Sequence, residues 1–399
     1  MPMNVERARA IMEREGLDGL VASTLENFFY LSGIWNLGQE LFPHDTQAYV
    51  VATRDKPDAG LLAVSVGEAD LTLEAYPTLR GAVTYGTFFR ELPDGVELNS
   101  DERRVWEITY NRKPEADPFS ALCAALEESG LSTGTIGVDE RGPNPGLLDQ
   151  LRAHFPQLEV RPASQTFRQI RMVKTAAEHA RLIGALRATE HALRTTVSAA
   201  REGVTERELA HIFETAIVER SARPGFTLLR FGRGMALGQV APGDARLAKG
   251  DYIWFDVGCT LHGYRSDIGR IVSFGEPSEK LRTYYNASKG GQSRAFELMT
   301  PGRAACDVFN GAVERVGELG IPHYRRHHVG HGIGVEYYDL PILNPRTEIP
   351  LESGMVFEVE TPYYEFGFGG AFIEDTVVVT DSGVKVLTEL DRELQVIGA

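Results

Sequence analysis

The apolar positions change period several times along the chain. In the first half, residues 5–16 read as a helix, 19–22 as a strand, and 49–52 and 61–64 as two further strands. A helix over about 118–128, a strand over 134–138 and a helix over about 145–154 continue the alternation, which predicts an α/β layer architecture. Farther on, Leu182, Leu186, Thr189, Leu193 and Val197 recur at the interval of a long helix. The next helix opens at Thr205, where Glu208 completes a capping box, and runs on through Leu209, Ile212, Phe213, Ala216 and Ile217 on one face. Two more helices are predicted between residues 278 and 320, with strands over 252–258, 264–273, 355–360 and 371–380. Helices with paired strands between and after them predict an α+β domain built on an antiparallel sheet. The pattern changes between Gln165 and Lys174, which divides the chain into an N-terminal α/β domain over 1–168 and a second domain over 169–399.

Two of the apolar strands carry a carboxylate in their midst. Asp256 lies within Tyr252-Ile253-Trp254-Phe255-Asp256-Val257-Gly258, and Asp267 within Tyr264-Arg265-Ser266-Asp267-Ile268-Gly269-Arg270. A hairpin centred between Leu261 and His262 would set the two aspartates directly opposite, with Cβ atoms about 4.5–5.5 Å apart. Ionised carboxylates that close repel in a partly buried site, and two divalent ions about 3.5–4 Å apart would answer the repulsion. Glu360 and Glu374 repeat the arrangement about a bend containing Gly367, Gly369 and Gly370. Between the two pairs lies His327-His328-Val329-Gly330-His331-Gly332-Ile333-Gly334, whose glycines let the backbone come close and His331 project. Neutral imidazole with carboxylates suits zinc, manganese, cobalt or iron better than calcium or magnesium. Singly, each piece has an ordinary reading as a surface aspartate, a loop or a salt bridge to Arg265. Together, Asp256, Asp267, His331, Glu360 and Glu374 predict a metal centre. His44 and His154 stand isolated in the first half, and Gly232, Gly234 and Gly238 mark a bend, not a nucleotide loop.

At 399 residues, 43% hydrophobic and 24% charged, the chain is long enough for two cores. Its net charge of −15 argues against a nucleic acid or an anionic membrane as partner. No apolar run approaches the roughly 18 residues of a membrane span, and the first residues run into a charged helical pattern without a leader's apolar stretch. Cys123, Cys259 and Cys306 are odd in number and far apart, which suits a reducing compartment, so a cytoplasmic enzyme is expected. Cys259, near the acidic residues, reads as a small buried thiol.

The set Gly250-Asp251, Asp256, Asp267, Gly330-His331-Gly332-Ile333-Gly334, Met355-Val356-Phe357 with Glu360, and Ile373-Glu374-Asp375-Thr376 resembles the pita-bread metallopeptidase family. That family includes aminopeptidase P, prolidase, methionine aminopeptidase and creatinase-like enzymes. The resemblance spans nearly the whole chain, because residues 7–33 look like the N-terminal domain of the aminopeptidase P, prolidase and creatinase branch. It implies a creatinase-type α/β domain followed by an α+β pita-bread domain. It also implies two divalent ions, often manganese or cobalt, with Asp256 on one, Asp267 and Glu374 bridging, and His331 and Glu360 completing the second. The implied reaction is hydrolysis by a water activated between the metals, with Glu360 passing the proton to the leaving group and small Xaa-Pro peptides as substrates. Similar enzymes are commonly dimers, so a homodimer is expected.

Departures from that family stand at three positions. The histidine of its His-x-x-Pro stretch is replaced by Gln239 in Gln239-Val240-Ala241-Pro242, and a second helper histidine by Tyr338. Phe372 takes the place of an arginine, while His327 matches a family histidine. Gln239 and Tyr338 can donate hydrogen bonds, but neither titrates near neutrality as histidine does. Three functions are therefore weighed: an Xaa-Pro metallopeptidase using Glu360, His327, Tyr338 and Gln239; a metal-dependent hydrolase or lyase on a small non-peptide molecule, as in ectoine hydrolases and dimethylsulfoniopropionate lyases; and a binding protein without catalysis. The aromatics Phe357, Tyr363, Tyr364, Phe366 and Phe368 favour the second if they cage a cation. The complete ligand set favours the first.

Overall fold

The computed structural model describes residues 3–74 and 78–398. The chain divides into two compact units, Met1–Arg171 and Met172–Ala399.

In the first unit a six-stranded sheet runs in the order Gly81–Tyr85, Leu61–Ser65, Tyr49–Thr53, Gly19–Ala22, Gly134–Val138, Leu158–Pro162. Tyr49–Thr53 is antiparallel to both of its neighbours, and the other three pairs are parallel. Asp117 caps the Pro118–Glu128 helix by accepting from the Ser120 amide, and Pro118 opens its first turn. That helix lays Ala121, Leu122, Ala125 and Leu126 on Val21, Val51, Ile136 and Val138 of the sheet. The α/β reading holds. The helices Leu25–Ser32 and Ser100–Tyr110 and both edge strands are additions to it. His154 stands edge-on to Phe119 and Phe155, a packing role.

The second unit opens with the helices Ala176–Ala199 and Glu206–Glu219, each begun by a complete capping box. At the second, Thr205 Oγ1 accepts from the Glu208 amide at 3.1 Å and the Thr205 amide donates to Glu208 Oε2 at 2.8 Å, as the spacing predicts. The helices Glu279–Leu298 and Ala305–Glu318 fill the interval between 278 and 320. The main sheet runs Asp339–Ile342, Gly330–Gly332, Val356–Glu360, Glu374–Thr380, Ile268–Phe274, Tyr252–Leu261, Arg223–Phe231. All these neighbours are antiparallel. Gln395–Ile397 adds a parallel strand, and the Arg223–Phe231 strand is one the pattern did not predict.

Side-chain alternation sorts this sheet into an apolar face and an acidic one. Phe357, Val359, Val377 and Val379 join Ala295, Val308, Phe309 and Ala312 of the last two helices in one core. Glu358, Glu360, Glu374 and Thr376 are thereby turned to the opposite face. Among the described residues, no helix is long and apolar enough to cross a membrane.

The hairpin after Tyr252 corrects two expectations. Its two-residue turn is His262-Gly263, with φ of 49° and 79°, as a type I′ turn requires. The centre therefore lies one residue beyond Leu261/His262, and Asp256 faces Gly269, not Asp267. Nor is 264–273 one strand. It breaks after Tyr264–Arg265 and resumes at Ile268, so Asp267 sits in the interruption. The backbone is held there by the Ser266 amide on the Cys259 carbonyl at 3.0 Å and by Ser266 Oγ on Thr189 Oγ1 at 2.7 Å. Because the register shift is a whole period of two, Asp256 and Asp267 stay on one face as diagonal neighbours.

Candidate metal centre

Strand pairing lines up the acidic residues across the sheet. Glu360 pairs with Glu374, Glu374 with Gly269, and Gly269 with Asp256, one row over four adjacent strands. Gly269 is required in that row because a Cβ there would collide with the Phe372 ring. On the far side, the Gly330–Gly332 strand sets His331 across from Glu358. A Cβ at Gly330 would strike the Glu358 carbonyl and one at Gly332 the Leu340 carbonyl, so the two glycines let three strands close around His331.

Asp256, Asp267, His331, Glu360 and Glu374 line one cavity of about 350 Å³ together with Gln239, His327 and Tyr338. One ligand atom from each of Asp267, His331 and Glu374 falls within 4.8 Å of the other two. His331 Nδ1 lies 3.1 Å from the Gly332 carbonyl, an acceptor only, so Nδ1 carries the proton and Nε2 has its lone pair free. Burial pulls this imidazole down to about 4, which keeps it neutral. Burial first, and then the charges of neighbouring carboxylates, push Asp256, Asp267 and Glu374 above the usual carboxylate range. Burial raises Glu360 as well, with the Arg326 charge pulling the other way.

Such a cluster is unfavourable without cations. Asp267 Oδ1 is buried and, among the described residues, has no hydrogen-bond partner. Oxygen and imidazole donors on one face, one of them orphaned, fit divalent transition metals.

Each helper position is also placed. Gln239 is exposed on the cavity wall just beyond the short helical turn Gly232–Leu237, which occupies the predicted bend. The Tyr338 ring stacks on His331 with centroids 3.7 Å apart and planes at 18°, and its hydroxyl lies 3.5 Å from His328 Nε2. Burial raises that phenol. Phe372 is buried in one apolar cluster with Trp254, Tyr252 and Met235, and of these four Trp254 lines the cavity. Of the five aromatics considered as a cage, only Tyr364 lines the cavity. Phe357 belongs to the helix-side core, because its strand position points away.

Several residues of the site were not anticipated. His328, not marked by the spacing, is buried with Nδ1 3.2 Å from Glu360 Oε1, whereas His327 is exposed at the wall. Burial pushes His328 down to about 3. Arg326 reaches Glu360 Oε2 with Nη2 at 3.5 Å. Glu358 is a further carboxylate on the acidic face, accepting from Thr376 Oγ1 at 3.0 Å. The alternation that turns Glu360 to the acidic face turns Glu358 there too, a signal available from period two alone.

Comparison with known proteins gives the family of both units. Residues 180–381 match the model of metallopeptidase family M24, and residues 4–173 match the creatinase/prolidase N-terminal domain. The chain is 31% identical over 265 residues to an Xaa-Pro dipeptidase of Pyrococcus furiosus, covering 66% of this chain and 76% of the relative. It is 29% identical over 285 residues to an Xaa-Pro dipeptidase of Lactobacillus delbrueckii subsp. lactis, covering 70% and 77%. A dipeptidase structure from Pyrococcus horikoshii OT3 superposes with a TM-score of 0.79 at 26% identity, over 99% of this chain and 100% of the other.

Proposed function

The chain belongs to metallopeptidase family M24, and from that footing we propose that it hydrolyses short Xaa-Pro peptides at a two-metal centre. Asp256, Asp267, His331, Glu360 and Glu374 are the residues that would hold the two ions. Manganese is the favoured metal, on a donor set of carboxylates and one imidazole. When bound, such ions polarise the scissile carbonyl and bring the pKa of a water towards neutrality. The observation that carries the reading is the acidic row with its buried, unpartnered Asp267 Oδ1.

The chain's own groups do the rest. His331 offers Nε2 because the Gly332 carbonyl fixes its other nitrogen. Glu360, beside His328 and Arg326, takes up a proton and passes it to the leaving nitrogen. The Tyr338 hydroxyl and the Gln239 amide donate hydrogen bonds to the substrate's oxygens, and His327 lines the entrance. Trp254 and Tyr364 give an apolar wall for a proline ring, with Phe372 packed behind Trp254.

A second reading, hydrolysis or cleavage of a small non-peptide molecule, is favoured by Phe372, a buried apolar side chain where similar enzymes carry an arginine. The deciding experiment is metal content of the purified chain together with turnover of an Xaa-Pro dipeptide panel after manganese addition. About two metals per chain with cleavage is the expected result. Two metals without cleavage favours the non-peptide substrate. A chain that neither contains nor takes up metal overturns the centre and leaves a binding protein.

A further inference from the structure

Lys174 is buried and lies outside the cavity lining. Val173 bridges Met355 in the antiparallel sense, and the Lys174 amide donates to the Gly354 carbonyl at 3.1 Å. Both contacts fix Lys174 beside the start of the strand that ends in Glu360. Its Nζ lies 3.5 Å from Asp339 Oδ2, with the two side chains 1% and 0% exposed. Gly334 makes room for the pair, because a Cβ there would come within 2.5 Å of Asp339 Oδ2 and 3.1 Å of Lys174 Cε. A buried ion pair is often no more stabilising than apolar residues of the same volume. What it does supply is a fixed partner, since parting the charges leaves each one buried and uncompensated.

Asp339 sits where such a fixture matters. It opens the strand Asp339–Ile342 opposite Gly332, and the register breaks between His331 and Gly332. Regular ladder pairing is thus interrupted at the residue that carries the imidazole. Tyr338, one position before Asp339, is 47% exposed and stacks its ring on His331 at 3.7 Å and 18°. The His331 ring is held at Nδ1 by the Gly332 carbonyl, and a ring held at one nitrogen can still tilt about that bond. A ring lying flat against it removes the tilt.

We propose that Lys174 is a positioning residue for the metal centre: by holding Asp339 it seats Tyr338 flat on His331 and so fixes the direction of Nε2. The inference rests on the reading of His331 as a metal ligand and not on the choice of substrate. Burial raises the Glu178 carboxyl and the Lys174 charge draws it back, so the ammonium acts on a second acid that the test must separate from Asp339.

The test is manganese binding to the metal-free full chain by calorimetry, with the visible spectrum of the cobalt-loaded chain as a record of ligand geometry. Expected for Lys174→Met is a loss of affinity on the order of 10- to 100-fold at one of the two ions, with an altered cobalt spectrum. Lys174→Arg should keep most of the affinity and Glu178→Gln all of it. Tyr338→Ala should reproduce the loss, whereas Tyr338→Phe, which keeps the ring, should not. The double variant Lys174→Met/Tyr338→Ala should bind no more weakly than either single one, since both act through one contact. If Lys174→Met does not fold, Lys174→Met/Asp339→Leu, which leaves no charge behind, takes its place in the comparison. Wild-type affinity in the Lys174 variant, additive losses in the double variant, or the full loss in Glu178→Gln overturns the proposal while the metal centre stands. A wild type that takes up no metal overturns both. The expected losses in a chain that cleaves no Xaa-Pro peptide keep the role of Lys174 and reject the peptidase reading.

Discussion

Glu374 and Asp375 are neighbours with opposite destinations. Period two sends Glu374 to the acidic row and Asp375 to the helix side, where Arg270, Gln292 and Arg392 meet it. Asp375 is fully buried and the Arg270 side chain is 5% exposed. Asp375→Ala leaves that guanidinium without its carboxylate, and the expected loss of stability is about 3–5 kcal/mol, read by denaturant unfolding of the metal-loaded chain. A loss below about 1 kcal/mol would mean that the carbonyls of Gly269, Glu374 and Asp391 satisfy Arg270 unaided. The same alternation made Glu360 and Glu374 recognisable as a pair before any fold was known. It was silent on His328 and Arg326, because the segment before Gly330 is not a regular strand and its side chains follow no simple period.

Among the elements, the Ala176–Ala199 helix carries a titration of its own. Glu178 closes the capping box by accepting from the Thr175 amide at 2.7 Å, and it accepts from the Tyr264 hydroxyl at 3.0 Å. Burial outweighs these bonds and raises its carboxyl from 4.5 to about 7. The folded chain thus holds a proton that the unfolded chain releases. This contribution is fully present below about pH 4.5 and is lost as pH rises through about 7. Stability should fall across that window, and Glu178→Gln should flatten the fall relative to the wild type, with both saturated with manganese. Equal slopes would reject the assignment. Both capping boxes are local, three residues apart, which is why the one at Thr205 could be read from the chain while strand breaks such as Ser266-Asp267 could not.

For the molecule as a whole, ions held on the acidic row would make stability depend on them. A ligand that binds only the folded state adds about 2.7 kcal/mol at one hundred times its dissociation constant. Chelation should therefore lower the melting temperature and manganese restore it, while Glu374→Gln should blunt the response. A melting curve indifferent to chelator in a chain shown to contain metal would place the ions outside the row. Helix faces, the Thr205 capping box and the acidic strands followed from the residues in order, since each depends on neighbours within a few positions. Partnership between strands did not. The His331 strand lies beside the one ending at Glu360 although 28 positions separate Gly332 from Glu360. Asp256 meets Glu374 only through Gly269, and a one-residue shift of a turn changed who faces whom. Those choices are made by long-range pairing and by packing around Phe372 and Trp254, which no local period records.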